Sequence, residues 1–344
     1  MIISRTPFRV SFFGGGTDYP DWYTQEGGAV LSTTIDKYVY ITCRYLPPFF
    51  DMRHRVVWSK IENVWSIDEI EHPAIREGLR YLGFADELGV DIHYQGDLPA
   101  RSGMGSSSAF AVGLVNALTA LNGERVPKHQ MALAAIHLEQ NLLNEAVGAQ
   151  DQVAAAYGGL NFIEFQRSGE ISVQPMILPP GRLRDLEDGL MLFYSGISRF
   201  SSEIAAEMIS NLPSKRETLF RMRTMVDEAV EILSGDRPLD DFGALLHETW
   251  TLKRGLSSRV SNDTIDGIYN RARKAGALGG KLLGAGESGF MLFYAPPDRR
   301  EAVRHALKDL LHVPFRFSGQ GSTVIHYDPE AYANGNTEDG SSGA

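Results

Sequence analysis

Cysteine is all but missing from this chain: Cys43 is the only one in 344 residues. No intrachain disulfide can form, and a reducing cytoplasm is the expected setting. Also lacking is any apolar run near the roughly 20 residues that a membrane-spanning helix needs. The opening MIISRTPFRV has neither the apolar centre nor the small-residue cleavage site of a signal peptide. Basic residues are in deficit, with 33 Lys+Arg against 43 Asp+Glu and a net charge of −10. That balance speaks against a nucleic-acid backbone or an anionic membrane surface as partner. It leaves an anionic small molecule open, because a local basic pocket is enough for one. There is no internal repeat, and no Gly-Lys-Ser/Thr stands at the spacing of a P-loop.

What is present is an ordinary globular composition, 43% apolar and 22% charged, in a chain whose length suits two domains better than three. Residues 2–13 and 28–43 are rich in β-branched and aromatic residues and predict strands around a glycine-rich turn. Residues 55–65 predict a strand or hairpin, 71–83 a short helix, and the strictly alternating 90–98 a strand. Helices are expected over 106–121 and 128–146, the second opening after Pro127. Segments 159–165 and 171–178 pair plausibly as strands, and Pro179-Pro180-Gly181 marks a boundary. Beyond it, 189–196 is a strand, 201–233, 238–256 and 263–276 are helical by apolar periodicity, and FMLFYAPP is a strand. EAVRHALKDLL predicts a helix and 314–327 a closing strand, while 331–344 have almost nothing to bury and predict a flexible tail. Strands and helices mixed without regular βαβ alternation point to α+β halves.

Three glycine-rich places hold the candidate chemistry. LPARSGMGSSSA, residues 98–109, follows a strand and opens an apolar helix. The first-turn amides of that helix lack intrahelical partners and lie at its positive dipole end. Gly103 and Gly105 let the backbone approach a ligand closely, and Ser106, Ser107 and Ser108 add hydroxyls. A phosphate cradle is one reading; a turn with one capping serine is the plainer one. KLLGAGESGF, residues 281–290, contains a literal G-x-G-x-x-G, but it follows a helix and precedes a strand, the reverse of the dinucleotide-binding context. It is a tight turn that is either structural or leans on a ligand held elsewhere, with Lys281 as a point charge for that ligand. In RTPFRVSFFGGGTDY, residues 5–19, Arg9 points away from the face of Phe8 and Val10, and Asp18 follows three glycines. A carboxylate there could grip a polyol, or could be a solvated residue of a hairpin turn.

Taken together, the three motifs in this order resemble those of the GHMP kinases, over roughly residues 2–327. The resemblance implies an α+β, two-domain GHMP kinase fold, with an N-terminal ribosomal-S5-domain-2-like half and a ferredoxin-like C-terminal half. It divides the chain into an ATP-binding domain at 1–185, a C-terminal domain at 186–330 and the tail at 331–344. It implies ATP wrapped by Gly103, Met104, Gly105, Ser106, Ser107 and Ser108, with Mg²⁺ held by Ser107 and Glu139. Asp151 in GAQDQ matches the proposed base and Arg9 the cation near the transferred group. Asp18 matches the sugar-binding aspartate, and Gly15, Gly16, Thr17, Lys281, Gly284 and Gly286 stand with it on the substrate side.

Galactokinases carry Gly-Glu-His where this chain has Gly14-Gly15-Gly16, so galactose loses those contacts. The fuller string through GGAVLSTTIDKYVY and YSGISRFSSEI is similar to the bacterial D-glycero-D-manno-heptose 7-phosphate kinases, with fucokinase-like kinases sharing parts of it. That branch acts at the anomeric hydroxyl and makes the α-1,7-bisphosphate used for GDP-heptose and surface polysaccharide. Arg199 is the first candidate for the distal phosphate, ahead of Arg44, Arg53 and Arg101. A decarboxylase-like member is disfavoured by GGGTDY, and a non-catalytic sugar sensor by the presence of both Asp151 and Glu139. The expected partners are ATP and a sugar phosphate, with no nucleic acid and no membrane; a homodimer is left open.

Overall fold

The computed structural model describes residues 1–47, 49–196, 207 and 209–329. β1 (Ile2–Phe13) and β2 (Gly28–Tyr45), both dense in residues that suit a pleated surface, pair antiparallel from Ile2 opposite Cys43 to Phe13 opposite Leu31. Their connection holds the triple-glycine turn and α1 (Pro20–Glu26), which begins on a proline as a helix start tolerates. β2 is long enough to serve two further neighbours. Its first residues pair with β6 (Asn161–Phe165) and its last with β5 (Val90–Gly96). The hairpin β3 (His54–Val57) and β4 (Ile61–Val64) adds beside β5, and β7 (Ile171–Pro175) beside β6. β12 (Thr323–Tyr327) closes the eight-stranded sheet on β1.

Three helices pack near one another beside this sheet: α3 (Ser106–Leu121), α4 (Lys128–His137) and α5 (Gln150–Tyr157). α3 is apolar on every side and is buried from Ser108 to Leu121, as a helix in the middle of a core must be. α2 (Pro73–Tyr81) covers part of it. The second half holds an antiparallel sheet in the order β11 (Leu311–His312), β8 (Leu190–Tyr194), β10 (Phe290–Tyr294), β9 (Gly279–Leu282). Alternation along its strands serves two cores. Leu190, Leu192, Phe290 and Leu292 join the main cluster, whereas Met191, Phe193, Met291 and Phe293 join a second with Trp250 and Tyr269. Helices α8 (Leu239–Arg254) and α9 (Asp263–Lys274) pack against this sheet, α10 (Arg300–Ala306) packs against α9, and α7 (Arg216–Ser234) packs on α8 and on β1 and β2.

Several expectations change. The helix expected over 128–146 ends at His137. A π turn follows at Leu138–Leu142, and Asn144 takes a positive φ of 52°. The extra residue in that turn carries Glu139 inward, where it is 1% exposed. A helix that was not expected, α6 (Pro180–Gly189), opens within the Pro179-Pro180-Gly181 stretch. The closing strand shrinks to β12, because residues ahead of it carry Pro314 and two glycines, one pressed against the Ala156 carbonyl. By pairing with β1, it also takes the end of the expected C-terminal domain back into the N-terminal sheet. The helix expected from 301 stops at Ala306, and the one expected from 201, helical at 207 and 209–211, passes through a 3₁₀ turn at Leu212–Lys215 before α7. The expected tail lies outside the described residues.

Candidate active site

β5 delivers the chain into the serine-rich loop, and Gly105, at φ 71°, is the residue from which α3 springs. A side chain at Gly105 would stand 3.1 Å from Arg9 Cγ and 3.2 Å from Asp151 Oδ2. At Gly103, φ 80°, a Cβ would fall 2.3 Å from the Leu283 carbonyl oxygen. The left-handed backbone and these close approaches both demand glycine. The three serines have separate partners. Ser106 Oγ accepts from the Arg101 amide at 3.1 Å, and Ser107 Oγ donates to Glu139 Oε1 at 2.5 Å. Ser108 is buried and its hydroxyl also serves Glu139.

Arg9 reaches from β1 and Asp151 from the first turn of α5, and they meet as a bidentate pair at 2.6 and 2.7 Å. Arg9 Nη1 also donates to the Gly103 carbonyl at 2.8 Å, which ties the guanidinium to the loop. Two parallel bonds between fork and carboxylate fix the orientation of both groups. Next along β1, Ser11 donates to Gln150 Oε1 at 2.7 Å. Asp18 is 2% exposed; its Oδ1 accepts the Gly16 amide at 2.9 Å and its carbonyl accepts from Ala149 at 3.0 Å. Burial raises the Asp18 carboxyl above its ordinary range, and the nearby Asp151 adds to this, while backbone donors oppose it.

Glu139 stands behind Ser107, with Gln152 Nε2 donating to its other oxygen at 2.6 Å. Burial pushes its carboxyl up to about 7, against the hydrogen bonds from Ser107, Ser108 and Gln152. No cluster of three or more His, Cys, Asp and Glu suited to a metal occurs among the described residues. A closed cage of protein ligands is therefore not built. Mg²⁺ commonly takes one or two carboxylates, keeps water, and draws its remaining oxygens from substrate phosphates. A buried carboxylate with only neutral donors on it, behind a hydroxyl that lines the cavity, fits that arrangement.

The second half closes the site with the turn after β9. A Cβ on Gly284 would lie 2.4 Å from Gly103 Cα, and the Phe290 amide donates to the Ser102 carbonyl at 3.2 Å. The third glycine motif thus leans on the first. Two lysines come with it. Lys281 Nζ donates to the Phe12 carbonyl at 2.9 Å. Lys253, in the last turn of α8, donates to the carbonyls of Leu282, at 3.1 Å, and Gly284. Burial pushes the Lys253 ammonium down to about 7, helped by Arg9 and opposed by Asp151 and Asp18. Lys281 is driven well below the ordinary lysine range by burial, Lys253 and Arg9.

A cavity of about 180 Å³ gathers much of the expected set: Arg9, Gly15, Asp18, Gly103, Gly105, Ser106, Ser107, Ser108, Asp151, Lys281 and Gly284 all line it. Five expected residues among those described do not, Glu139 being one, since it stands behind Ser107. Met104 is fully buried, and its carbonyl accepts the Arg9 amide. Thr17 spends its hydroxyl on the Gly14 and Ala29 carbonyls. Gly16 contributes its amide to Asp18, and Gly286 packs on the Val260 backbone. Arg199 lies outside the described residues. Of the other arginines considered, Arg44 pairs with Asp91 and Arg53 donates to the Glu87 carbonyl, whereas Arg101 is on the cavity wall. Sequence reasoning missed Ser11, Glu145, Gln150 and Lys253. Alternation on β1 puts Ser11 on the same side as Arg9, a signal available for that residue alone.

A family model described as GHMP kinases N terminal domain matches residues 70–159, and one described as GHMP kinases C terminal matches 225–313. The chain is 30% identical over 320 residues to the D-glycero-alpha-D-manno-heptose 7-phosphate kinase of Campylobacter jejuni, covering 89% of this chain and 93% of that one. It is 24% identical to the bifunctional fucokinase/GDP-fucose pyrophosphorylase of Arabidopsis thaliana, over 88% of this chain and 31% of that protein. The solved structure of a D-glycero-D-manno-heptose 1-phosphate kinase from Bacteroides thetaiotaomicron superposes with a TM-score of 0.78 at 24% identity, covering 95% and 99% of the two chains.

Proposed function

The chain belongs to the GHMP kinases, with their two-part α+β fold, and from that premise we propose that it phosphorylates the anomeric hydroxyl of D-glycero-D-manno-heptose 7-phosphate. ATP is the donor, and the product is the α-1,7-bisphosphate that leads to GDP-heptose and surface polysaccharide. The observation that carries the reading is the Arg9–Asp151 clamp at the mouth of the serine-rich loop, in a cavity shared with Asp18. A relative of nearly the same length with that printed activity supports the choice of sugar.

Phosphoryl transfer asks mainly for in-line positioning and charge neutralisation. In this reading the first-turn amides of α3 and the hydroxyls of Ser106 and Ser108 hold the triphosphate. Ser107 and Glu139 would hold Mg²⁺, which supplies neutralisation of triphosphate charge. Asp151 orients the C1 hydroxyl through lone pairs that Arg9 leaves free and takes its proton as the new O–P bond forms and the bond to the departing ADP breaks. Arg9 stabilises charge on the transferred group, as a fixed cation does in a water-poor cleft. An anomeric hydroxyl is more acidic than an ordinary alcohol, so a carboxylate is base enough. Asp18, which burial inclines toward a proton, can both accept from and donate to sugar hydroxyls.

The test is an ADP-release assay over D-glycero-D-manno-heptose 7-phosphate, L-fucose and D-mannose, with phosphorus NMR locating the new phosphate. Turnover is expected on the heptose phosphate, with the new signal at C1. Turnover on fucose in its place would move the assignment to the fucokinase-like branch, which the plant relative favours.

A further inference from the structure

We propose that Lys253 and Lys281 form a phosphate-binding pair, two buried ammonium groups on the cavity wall that take the oxygens of a phosphate group. The proposal takes its ligand class from the kinase reading above. Both lysines line the cavity that holds Arg9, Asp18 and Asp151, and they are only 7% and 3% exposed. Neither has a carboxylate on it among the described residues. Their hydrogen bonds go to backbone carbonyls alone, those of Leu282 and Gly284 for Lys253 and that of Phe12 for Lys281. An ammonium has three donors, so one on Lys253 and two on Lys281 are unspent.

A purely structural role accounts poorly for this. Lys253 does tie α8 to the turn after β9, and Lys281 ties β9 to β1. A neutral donor would make the same bonds, whereas burying an ammonium without a counter-ion costs several kcal/mol. Two such groups side by side oppose each other further, as the depressed basicity of each reflects. A phosphate dianion removes both penalties at once. Arg9 cannot serve in their place unaided, because Asp151 already occupies two of its donors. The phosphate has two sources here, the terminal phosphate of the nucleotide or the phosphate carried by the sugar, and either would meet the same pair.

The full chain and the variants Lys253→Gln, Lys281→Gln, Lys253→Met and Lys281→Met are compared by isothermal titration calorimetry, with circular dichroism to confirm folding. The probes are AMPPNP with Mg²⁺, D-mannose 6-phosphate, D-mannose and inorganic tripolyphosphate. Glutamine keeps a donor for the carbonyls and removes the charge, so it separates a latch from a phosphate site. Each glutamine variant is expected to weaken a phosphate probe by about 10- to 100-fold, the worth of a charge-assisted bond, and to leave mannose unchanged. A loss confined to AMPPNP assigns the nucleotide phosphate, and one confined to mannose 6-phosphate assigns the sugar phosphate. Folded glutamine variants that bind every phosphate probe within twofold of the parent would overturn the proposal, as would a parent that binds none of them. A parent that binds tripolyphosphate but not AMPPNP would sink the kinase reading while leaving the lysine pair to be judged on tripolyphosphate. If methionine alone weakens binding, the pair is a structural latch and the proposal fails.

Discussion

Replacing Lys253 by methionine sets two effects on stability against each other, and pH decides which prevails. In the folded protein burial and the Arg9 guanidinium hold the Lys253 ammonium down at about 7, against the pull of Asp151 and Asp18. In the unfolded chain the same group returns to 10.5. Between those values the unfolded chain binds more protons, so stability rises with pH. Across the window the gain is about 5 kcal/mol, missing at pH 7 and nearly complete by pH 10.5. Methionine carries no proton and has no such dependence. It does abandon the Leu282 and Gly284 carbonyls, at roughly 1–2 kcal/mol for each buried acceptor left unpaired. Lys253→Met should therefore be more stable than the parent by about 1–3 kcal/mol at pH 7 and less stable by about 2–4 kcal/mol near pH 10.5. Urea unfolding at one-unit steps from pH 7 to 10 reads the two curves, which should cross. Parallel curves, with the variant weaker throughout, would refute the buried and unpaired charge.

Three further outcomes follow from the site. Asp151→Asn should lower kcat by about 10²- to 10⁴-fold while AMPPNP binding, followed by calorimetry, stays within a few-fold; unchanged turnover would remove Asp151 from the chemistry. Ser107→Ala should reduce kcat more than Ser106→Ala or Ser108→Ala in the ADP-release assay, because Ser107 is the exposed one of the three and donates to Glu139 at 2.5 Å, whereas Ser108, which also serves Glu139, is buried; equal losses would count against that division of labour. Gly103→Ala places a Cβ 2.3 Å from the Leu283 carbonyl at a φ of 80°, and should cost roughly 1–3 kcal/mol in thermal or urea unfolding. A variant that unfolds like the parent would show that the loop and the turn after β9 are not packed as described.

Much of the fold could be read from periodicity. β1, β2, β5 and α3 lie close to their predicted bounds, since each carries an unbroken run of residues suited to its own kind of element. What escaped was short or broken. α5 has only 8 residues and little amphipathic contrast, because nearly every side after its first turn is buried. The π turn at Leu138–Leu142 keeps the helical apolar spacing while changing the backbone, so periodicity carries straight through it. β12 pairs with β1 across more than 300 residues of sequence, and no local pattern reports a partner that distant. Arg199 and its neighbours, residues 197–206, lie outside the described residues.

The candidate site was legible in its glycine motifs, with Asp18, Asp151, Arg9 and Lys281 beside them, and illegible in Lys253, for a physical reason. A glycine that must take a positive φ, or whose added Cβ would fall 2.4 Å from another backbone, can be replaced by nothing else, so its position in the chain carries information. Asp18 and Asp151 follow such glycines and inherit their visibility. A lysine away from such a motif gives no comparable signal. Lys253 falls near the end of an amphipathic helix, where a positive charge also suits the helix dipole and usually meets water. Only the docking of the turn after β9 onto Gly103 buries it, and that docking is a tertiary event between motifs about 180 residues apart. The anions Asp18 and Asp151 come from the first half of the chain and both lysines from the second. The cavity therefore gains its two lysines only when the glycine turns interlock, and a defect in that packing should strip the lysines from the site before it disturbs the Arg9–Asp151 clamp.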